Sequence, residues 1–307
     1  MATTVVAPAA NTIGLAAAYL PLLDEIYTAE SKTAILDTLA ERVQFTGVNT
    51  VNLFTLDPVG MANYDRNAGY VPGDVDGTWV PYVLETDRGR SYQIDYLDNE
   101  ESMGMAFGGL FSTVEKQHII PEVDAYRFAQ YASAATVAGG NRVTETLTAG
   151  AATVDSIDLA TATMDDAEVP YEGRILFVSP TTYRFLKGGI TRMVMNRDDN
   201  VNYNVEMYND MRVITVPSKR FQTAITLNAP TTSSGAGGFA PAQNAAAINY
   251  MIVHPSAVLQ VMKHYVPRIF MPEQNIEADA YRVQPRFAHG AWVKTNKKQG
   301  IYVSAPA

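Results

Sequence analysis

Apolar positions along the chain follow two periods that take turns. Over residues 22–43, Ile35, Leu39 and Val43 recur every fourth position with Leu36 beside them, and Lys32, Asp37, Glu41 and Arg42 are interleaved. That spacing predicts an amphipathic helix. From Val48 the period shortens. Val51 and Leu53 alternate with Thr50 and Asn52, as in a half-buried strand. Turn formers fill 57–78: Asp57-Pro58, Gly60, Gly69, Pro72-Gly73 and Asp76-Gly77. Alternation resumes at Trp79. Tyr82 and Leu84 share one face; Tyr92, Ile94 and Tyr96 share another. Asp87-Arg88-Gly89-Arg90 between them reads as a turn or as a charged stretch within one long strand. The whole of 48–97 is thus predicted to be an extended β-hairpin with a long tip. So long a structureless tip is unusual inside a compact domain. An arm reaching out to a neighbour accommodates it.

Residues 102–135 form the longest helical pattern. Met103, Phe107, Leu110, Phe111 and Val114 hold one face, and Ala125, Phe128, Ala129 and Ala132 continue it. Gly104, Gly108 and Gly109 weaken the first part. Pro121 lacks an amide hydrogen, which predicts a kink or a restart. A helix over 151–168 follows, with Val154, Ile157 and Met164 on one face and Leu159 off it. Ile175 to Val178 read as a buried strand. Pro180 opens a short helix expected to end at Gly188-Gly189. Met211–Val216 and Tyr250–Val253 are predicted strands, and more lie within 280–303. Residues 228–247 form a surface excursion rich in small residues. Residues 1–13 carry no charged side chain and read as an arm.

Composition sharpens this picture. Only 18% of residues are charged, against about 25% in ordinary soluble domains. No apolar run approaches the ~18 residues of a membrane span. The first basic residue is Lys32, so no cationic signal-peptide start is expected. A charge-poor chain with 17 tyrosines suits a surface covered by other chains. Net charge −9 argues against a general nucleic-acid binder. With no cysteine, disulfides, thiolate nucleophiles and Cys-ligated metals are excluded.

Motifs for chemistry are absent. His118, His254, His264 and His289 match no metal-binding spacing and read as structural. Ser233-Ser234-Gly235-Ala236-Gly237-Gly238 lacks the Gly-Lys-Ser/Thr ending of a phosphate loop and reads as a flexible loop. Asp198-Asp199-Asn200-Val201-Asn202 begins like a calcium loop but continues with Tyr203, not Gly. Asp165-Asp166 and Glu100-Glu101 read as solvated faces. Lys294, Lys297 and Lys298 read as a solvated hairpin turn over 296–300, being few for holding DNA. No Gly-x-Ser-x-Gly elbow occurs. No catalytic residue, cofactor or metal is expected.

An ordered set of segments makes one resemblance specific. Asp87-Arg88-Gly89-Arg90-Ser91-Tyr92-Gln93-Ile94-Asp95 is followed by Ile119-Ile120-Pro121-Glu122-Val123-Asp124-Ala125-Tyr126-Arg127. Val253-His254-Pro255-Ser256-Ala257-Val258, Arg268-Ile269-Phe270-Met271-Pro272 and Gly300-Ile301-Tyr302 come next. Together they resemble the major capsid proteins of tailed phages of Gram-positive bacteria, over most of residues 24–303. The resemblance implies the α+β Hong Kong 97 capsid fold. Residues 1–45 would be its N-terminal arm and 46–97 its extended β-hairpin loop, lying across the adjacent subunit. Residues 98–135 would be peripheral domain, with 102–135 as the spine helix. Residues 136–255 would form most of the axial domain, and 256–307 would return as peripheral strands.

The same resemblance implies hexamers and pentamers closing into an icosahedral virion head, assembled in the host cytoplasm. That head would enclose double-stranded DNA without reading its sequence. A separate scaffolding protein, a portal and possible decoration proteins would be its partners, with no membrane. A separate scaffold is expected because no long scaffolding segment precedes the arm. Some relatives weld their shells through a lysine in the extended loop. Residues 46–97 contain no lysine, so no such crosslink is expected. Interface candidates are Tyr64, Arg66 and Trp79 near the hairpin tip, with Arg88 and Arg90 on its strand, since aromatics and Arg anchor interfaces. Trp79 could equally be a packed strand residue, and the arginines plain surface charges. The alternatives are an encapsulin-type compartment shell and, from another class, an enzyme without a recognisable motif.

Overall fold

The computed structural model describes residues 31–39, 44–45, 50–67, 69–101, 110, 113–194, 205–232, 234–265 and 268–306. At its centre lies a six-stranded mixed sheet. Its order is Asn141–Thr144, Ile301–Ala305, Tyr250–Val253, Ile175–Val178, Met211–Thr215, Met207–Tyr208. Three of these strands are buried at every residue. Alternation of side chains explains why they read as unbroken apolar runs. Phe177, Met251, Val253 and Val303 enter one core with Phe128, Tyr131 and Phe221. Leu176, Val178, Tyr250, Ile252 and Tyr302 enter the other, with Val154, Ile157, Met164 and Leu186.

The first core is closed by the long helix Ile120–Thr136. Phe128 meets Phe177 and Phe221 edge-on at 5.1 and 5.0 Å. Just before it, Glu115–Ile119 forms a π-helical turn, and the Ile120 amide donates to the Glu115 carbonyl. Pro121 can donate to nothing, so the widened turn sits where the ordinary ladder is interrupted. The expected restart is therefore here, while residues 102–109 lie outside the described residues.

The second core is closed by the helices Gly150–Asp166 and Pro180–Val194. Leu159 points to solvent, as its phase predicted. The expected stop at Gly188-Gly189 does not occur: the helix runs through to Val194. Gly189 is there for contact. A Cβ on it would lie 2.7 Å from the Gly150 carbonyl oxygen of the facing helix.

Three three-stranded antiparallel sheets and a two-stranded one, Ile225–Leu227 with Phe239–Pro241, complete the fold. Thr50–Pro58 pairs with Val75–Val83 along nine residues, with Gln44–Phe45 at the edge. Val258–Tyr265, Arg286–Val293 and Thr86–Gly89 form a second. Arg268–Phe270, Ala280–Gln284 and Tyr92–Asp95 form a third. The predicted hairpin is thus real but shorter, ending at Val83. Thr86–Gly89 and Tyr92–Asp95 leave it to pair with strands some two hundred residues away. The last strand of the 256–307 segment, Ile301–Ala305, joins the central sheet. The expected lysine hairpin turn is instead a 3-10 connection, Thr295–Gly300, between two different sheets, and Lys294 is buried. The predicted helix over 22–43 lies mostly outside the described residues, and its described part is the 3-10 turn Ala34–Leu39. The incomplete calcium motif lies wholly outside them.

Candidate subunit interface

The hairpin is anchored at its base and bare beyond it. Val51 packs with Leu84, Leu259 and Val261, and Tyr82 and Trp292 lie against them with ring centroids 5.5 Å apart. Further out, Phe54 faces Trp79 at 5.0 Å, yet Trp79 stays 52% exposed. In the tip, Asp65 and Gly69 exchange backbone hydrogen bonds of 3.2 and 2.8 Å, and the Asp65 carboxylate accepts from the Asn67 amide. Gly69 has φ +81, which a side chain would resist. That turn brings Tyr64 and Tyr70 edge-on at 4.8 Å, with Tyr70 88% exposed. Met61, Val71 and Val75 are exposed as well. Phe54, Val59 and Val83 add to this bare apolar surface of the arm. Arg66 is exposed beside it.

Arg88 and Arg90 lie elsewhere and work inside the chain. Arg88 donates to both Glu122 carboxylate oxygens at 2.8 and 3.2 Å, and to the carbonyls of Asn228 and Gly238. Arg90 donates to the Gly235 carbonyl at 3.1 Å. The glycine-rich loop read as flexible is thus tethered at two of its carbonyls, Gly235 and Gly238, with Asn228 held just before it. The structure brings Tyr64, Arg66 and Trp79 together on the hairpin and separates Arg88 and Arg90 from them.

Sequence reading missed a buried ionic cluster on the long helix. Asp124 is fully buried; it accepts from the Ser31 and Thr33 hydroxyls at 2.6 and 2.7 Å, the Lys32 amide and Arg220. Arg127 donates to the Thr33 hydroxyl at 2.8 Å. Glu122, Asp124 and Arg127 thereby hold the chain entry, the Arg88 strand and the Arg220 turn against one helix. The available signal was three charges, Glu122, Asp124 and Arg127, inside an otherwise apolar helical stretch running to Ala129.

Beneath this cluster His289 is fully buried between Tyr126, edge-on at 4.9 Å, and Phe287, stacked at 5.6 Å. Neither ring nitrogen has a hydrogen-bond partner. Burial, then the positive charge of Arg127 and Arg88, pushes its pKa down to about 4. His254 caps a turn: its Nδ1 accepts from the Ser256 amide. His118 is exposed, and the side chain of His264 lies outside the described residues. Among the described residues no group of three or more His, Asp or Glu side chains is placed to hold a metal. Nor does any described helix have the length and apolarity to cross a membrane. Asp165 is paired with the buried Arg174 at 2.6 Å.

No family model and no curated protein matches the sequence. Solved structures do match the fold. The capsid structure of the cyanophage P-SCSP1u aligns with a TM-score of 0.65 at 13% identity, over 93% of this chain and 91% of that one. The mature capsid of bacteriophage PhiM1 gives 0.62 at 14% identity, over 85% and 82%. A structure from Microbacterium phage Oxtober96 gives 0.60 at 15% identity, over 91% and 92%. The chain has the mixed α and β fold of phage capsid subunits, over nearly its full described length.

Proposed function

We propose that this chain is the major capsid protein of a tailed phage, a structural protein of the virion that assembles with copies of itself. The observation that carries the reading is the whole-chain likeness to capsid subunits, with a TM-score of 0.65 over 93% of the chain. The bare aromatic hairpin supports it, since such surfaces are normally covered by a partner. In this reading the fold is of the Hong Kong 97 kind. Within residues 46–97 the hairpin 50–83 is the extended loop, the long helix is the spine, 136–255 form the axial domain, and 256–307 return to the peripheral domain except for Ile301–Ala305, which joins the central sheet. Copies form hexamers and pentamers that close an icosahedral head around double-stranded DNA. Each contact can be weak because many act together.

Tyr64, Arg66 and Trp79 are the proposed anchors to a neighbour. Arg88 and Arg90 act behind them, fixing the strand from which the hairpin leaves. Sedimentation tests this. The parent chain should run as megadalton particles, and a Tyr64→Ser/Trp79→Ser variant near 33.5 kDa with unchanged thermal unfolding. A parent chain that stays monomeric at assembly concentrations refutes the reading.

A further inference from the structure

The sheet Arg268–Phe270, Ala280–Gln284, Tyr92–Asp95 is electrically bipolar. Its register sets Arg268 opposite Gln284 at one end and Ala280 opposite Asp95 at the other. The first end opens into a cleft of about 520 Å³ bearing Arg90, Arg268 and Arg286 against one carboxylate, Asp87. Arg286 grips that carboxylate at 2.9 and 2.5 Å and still leaves its side chain 64% exposed. The second end opens into a cleft of about 330 Å³ bearing Glu273 and Asp279, walled by Met271 and the stacked pair Tyr96 and Tyr281. Asp98 and Glu100 extend its charge along the short helix Tyr96–Glu101. Leu97 and Ile276 stand bare at this end.

We propose that the acidic end of this sheet in one copy docks into the arginine cleft of the next, head to tail. The occupant is a second copy because one chain carries both halves. Carboxylates meet guanidinium groups that already bind one carboxylate in a forked geometry, and the Tyr96 ring offers a face to an arginine. Exposed Leu97 and Ile276 supply the apolar area that charge alone does not. Using opposite ends of one sheet makes the contact heterologous, the kind that closes rings or extends between them. The contact goes beyond the hairpin clasp and uses none of its residues.

The absence of native cysteine makes a direct test possible. In a Ser91→Cys/Ile276→Cys variant one thiol precedes the strand Tyr92–Asp95 and the other precedes Ala280, which pairs with Asp95 at the far end, so the length of a four-residue strand, roughly 14 Å, lies between them. That exceeds the ~7 Å Cα limit for a disulfide, so bridges form only between copies. Mild oxidation of assembled material should give a ladder of multimers on a denaturing gel, collapsing with reductant. A companion Asn67→Cys/Ser91→Cys variant places the thiol on the hairpin tip. A ladder there and none with Ile276→Cys would make the hairpin the occupant and overturn the contact. Intact particles with no ladder in either variant would also overturn it while leaving the shell standing. No assembly at all by the parent chain would remove both.

Discussion

At the scale of single residues, the stability of this chain depends on polar and charged groups held away from water. His289 is the sharpest case. Its ring is faced by Arg127 from the long helix and by Arg88 from the strand Thr86–Gly89, with Glu122 bound to Arg88 and the rings of Tyr126 and Phe287 against it. Its pKa lies at about 4 when folded and 6.5 when unfolded. Between those values the unfolded chain takes up a proton that the folded chain refuses. Stability should therefore fall as pH drops from 6.5 towards 4, by up to about 3 kcal/mol, and be flat in this term above 6.5. Carboxylates titrate in the same range, so the measurement is a difference. In chemical denaturation across pH 4–7.5 the stability of the parent relative to His289→Phe should fall as pH falls below 6.5; parallel curves would refute the assignment.

Arg88 tests the neighbouring charge. Arg88→Ala strands the buried Glu122 carboxylate and should cost about 3 kcal/mol. Arg88→Lys should recover part of this, since a lysine cannot reproduce the two-pronged bond. Urea midpoints of the three proteins measure it. Sequence reasoning placed Arg88 and Arg90 at an interface or as plain surface charges. The geometry revises that expectation. Arg88→Glu sets a second carboxylate against Glu122, so lost assembly in that variant reports unfolding.

At the scale of elements, glycine decides how the second core closes. Gly188 and Gly189 are consecutive in one helix but meet opposite surroundings. A Cβ on Gly188 meets nothing within 4 Å, whereas one on Gly189 meets the Gly150 backbone and Val154. Gly188→Ala should therefore stabilise by about 1 kcal/mol through helix propensity. Gly189→Ala should destabilise by roughly 1–3 kcal/mol through overpacking. Thermal melts of the pair should move in opposite directions. Equal shifts would mean that the helices do not pack through Gly150 and Gly189.

The same position shows why an element's end can be misread. Two glycines look like a stop when the facing helix is unknown. The strands Ile175–Val178 and Tyr250–Val253 were legible because burial on both faces leaves an unbroken apolar run. The helix Gly150–Asp166 was legible, down to Leu159 outside it, because its stripe keeps one phase. Thr86–Gly89 and Tyr92–Asp95 were not separated from the hairpin because alternation continues past Val83. Their partners, Arg286–Val293 and Ala280–Gln284, leave no local mark on them. The ionic cluster on the long helix was hidden for a similar reason. Asp124 looks like a solvent-facing charge until Ser31, Thr33 and Arg220 are brought to it.

At the scale of the whole molecule, one central sheet with a helical layer on each face carries an arm that finds nothing to bury itself against. The low charge, 18% of residues, and the exposed Trp79 and Tyr70 point the same way. Both become ordinary once neighbouring copies cover them. In the tip the Asp65–Gly69 turn holds Tyr64 against Tyr70. In the proposed assembly, such an arm outside a packed core would let one chain serve pentamers and hexamers alike.

The most direct measurement is electron microscopy of the purified full-length chain. Curved shells built of rings of subunits, with the hairpin of each lying on its neighbour, are the predicted result, of uniform diameter only with the expected scaffolding protein present. A field of separate 33.5 kDa molecules, or of small open oligomers at every concentration and salt tried, would contradict it.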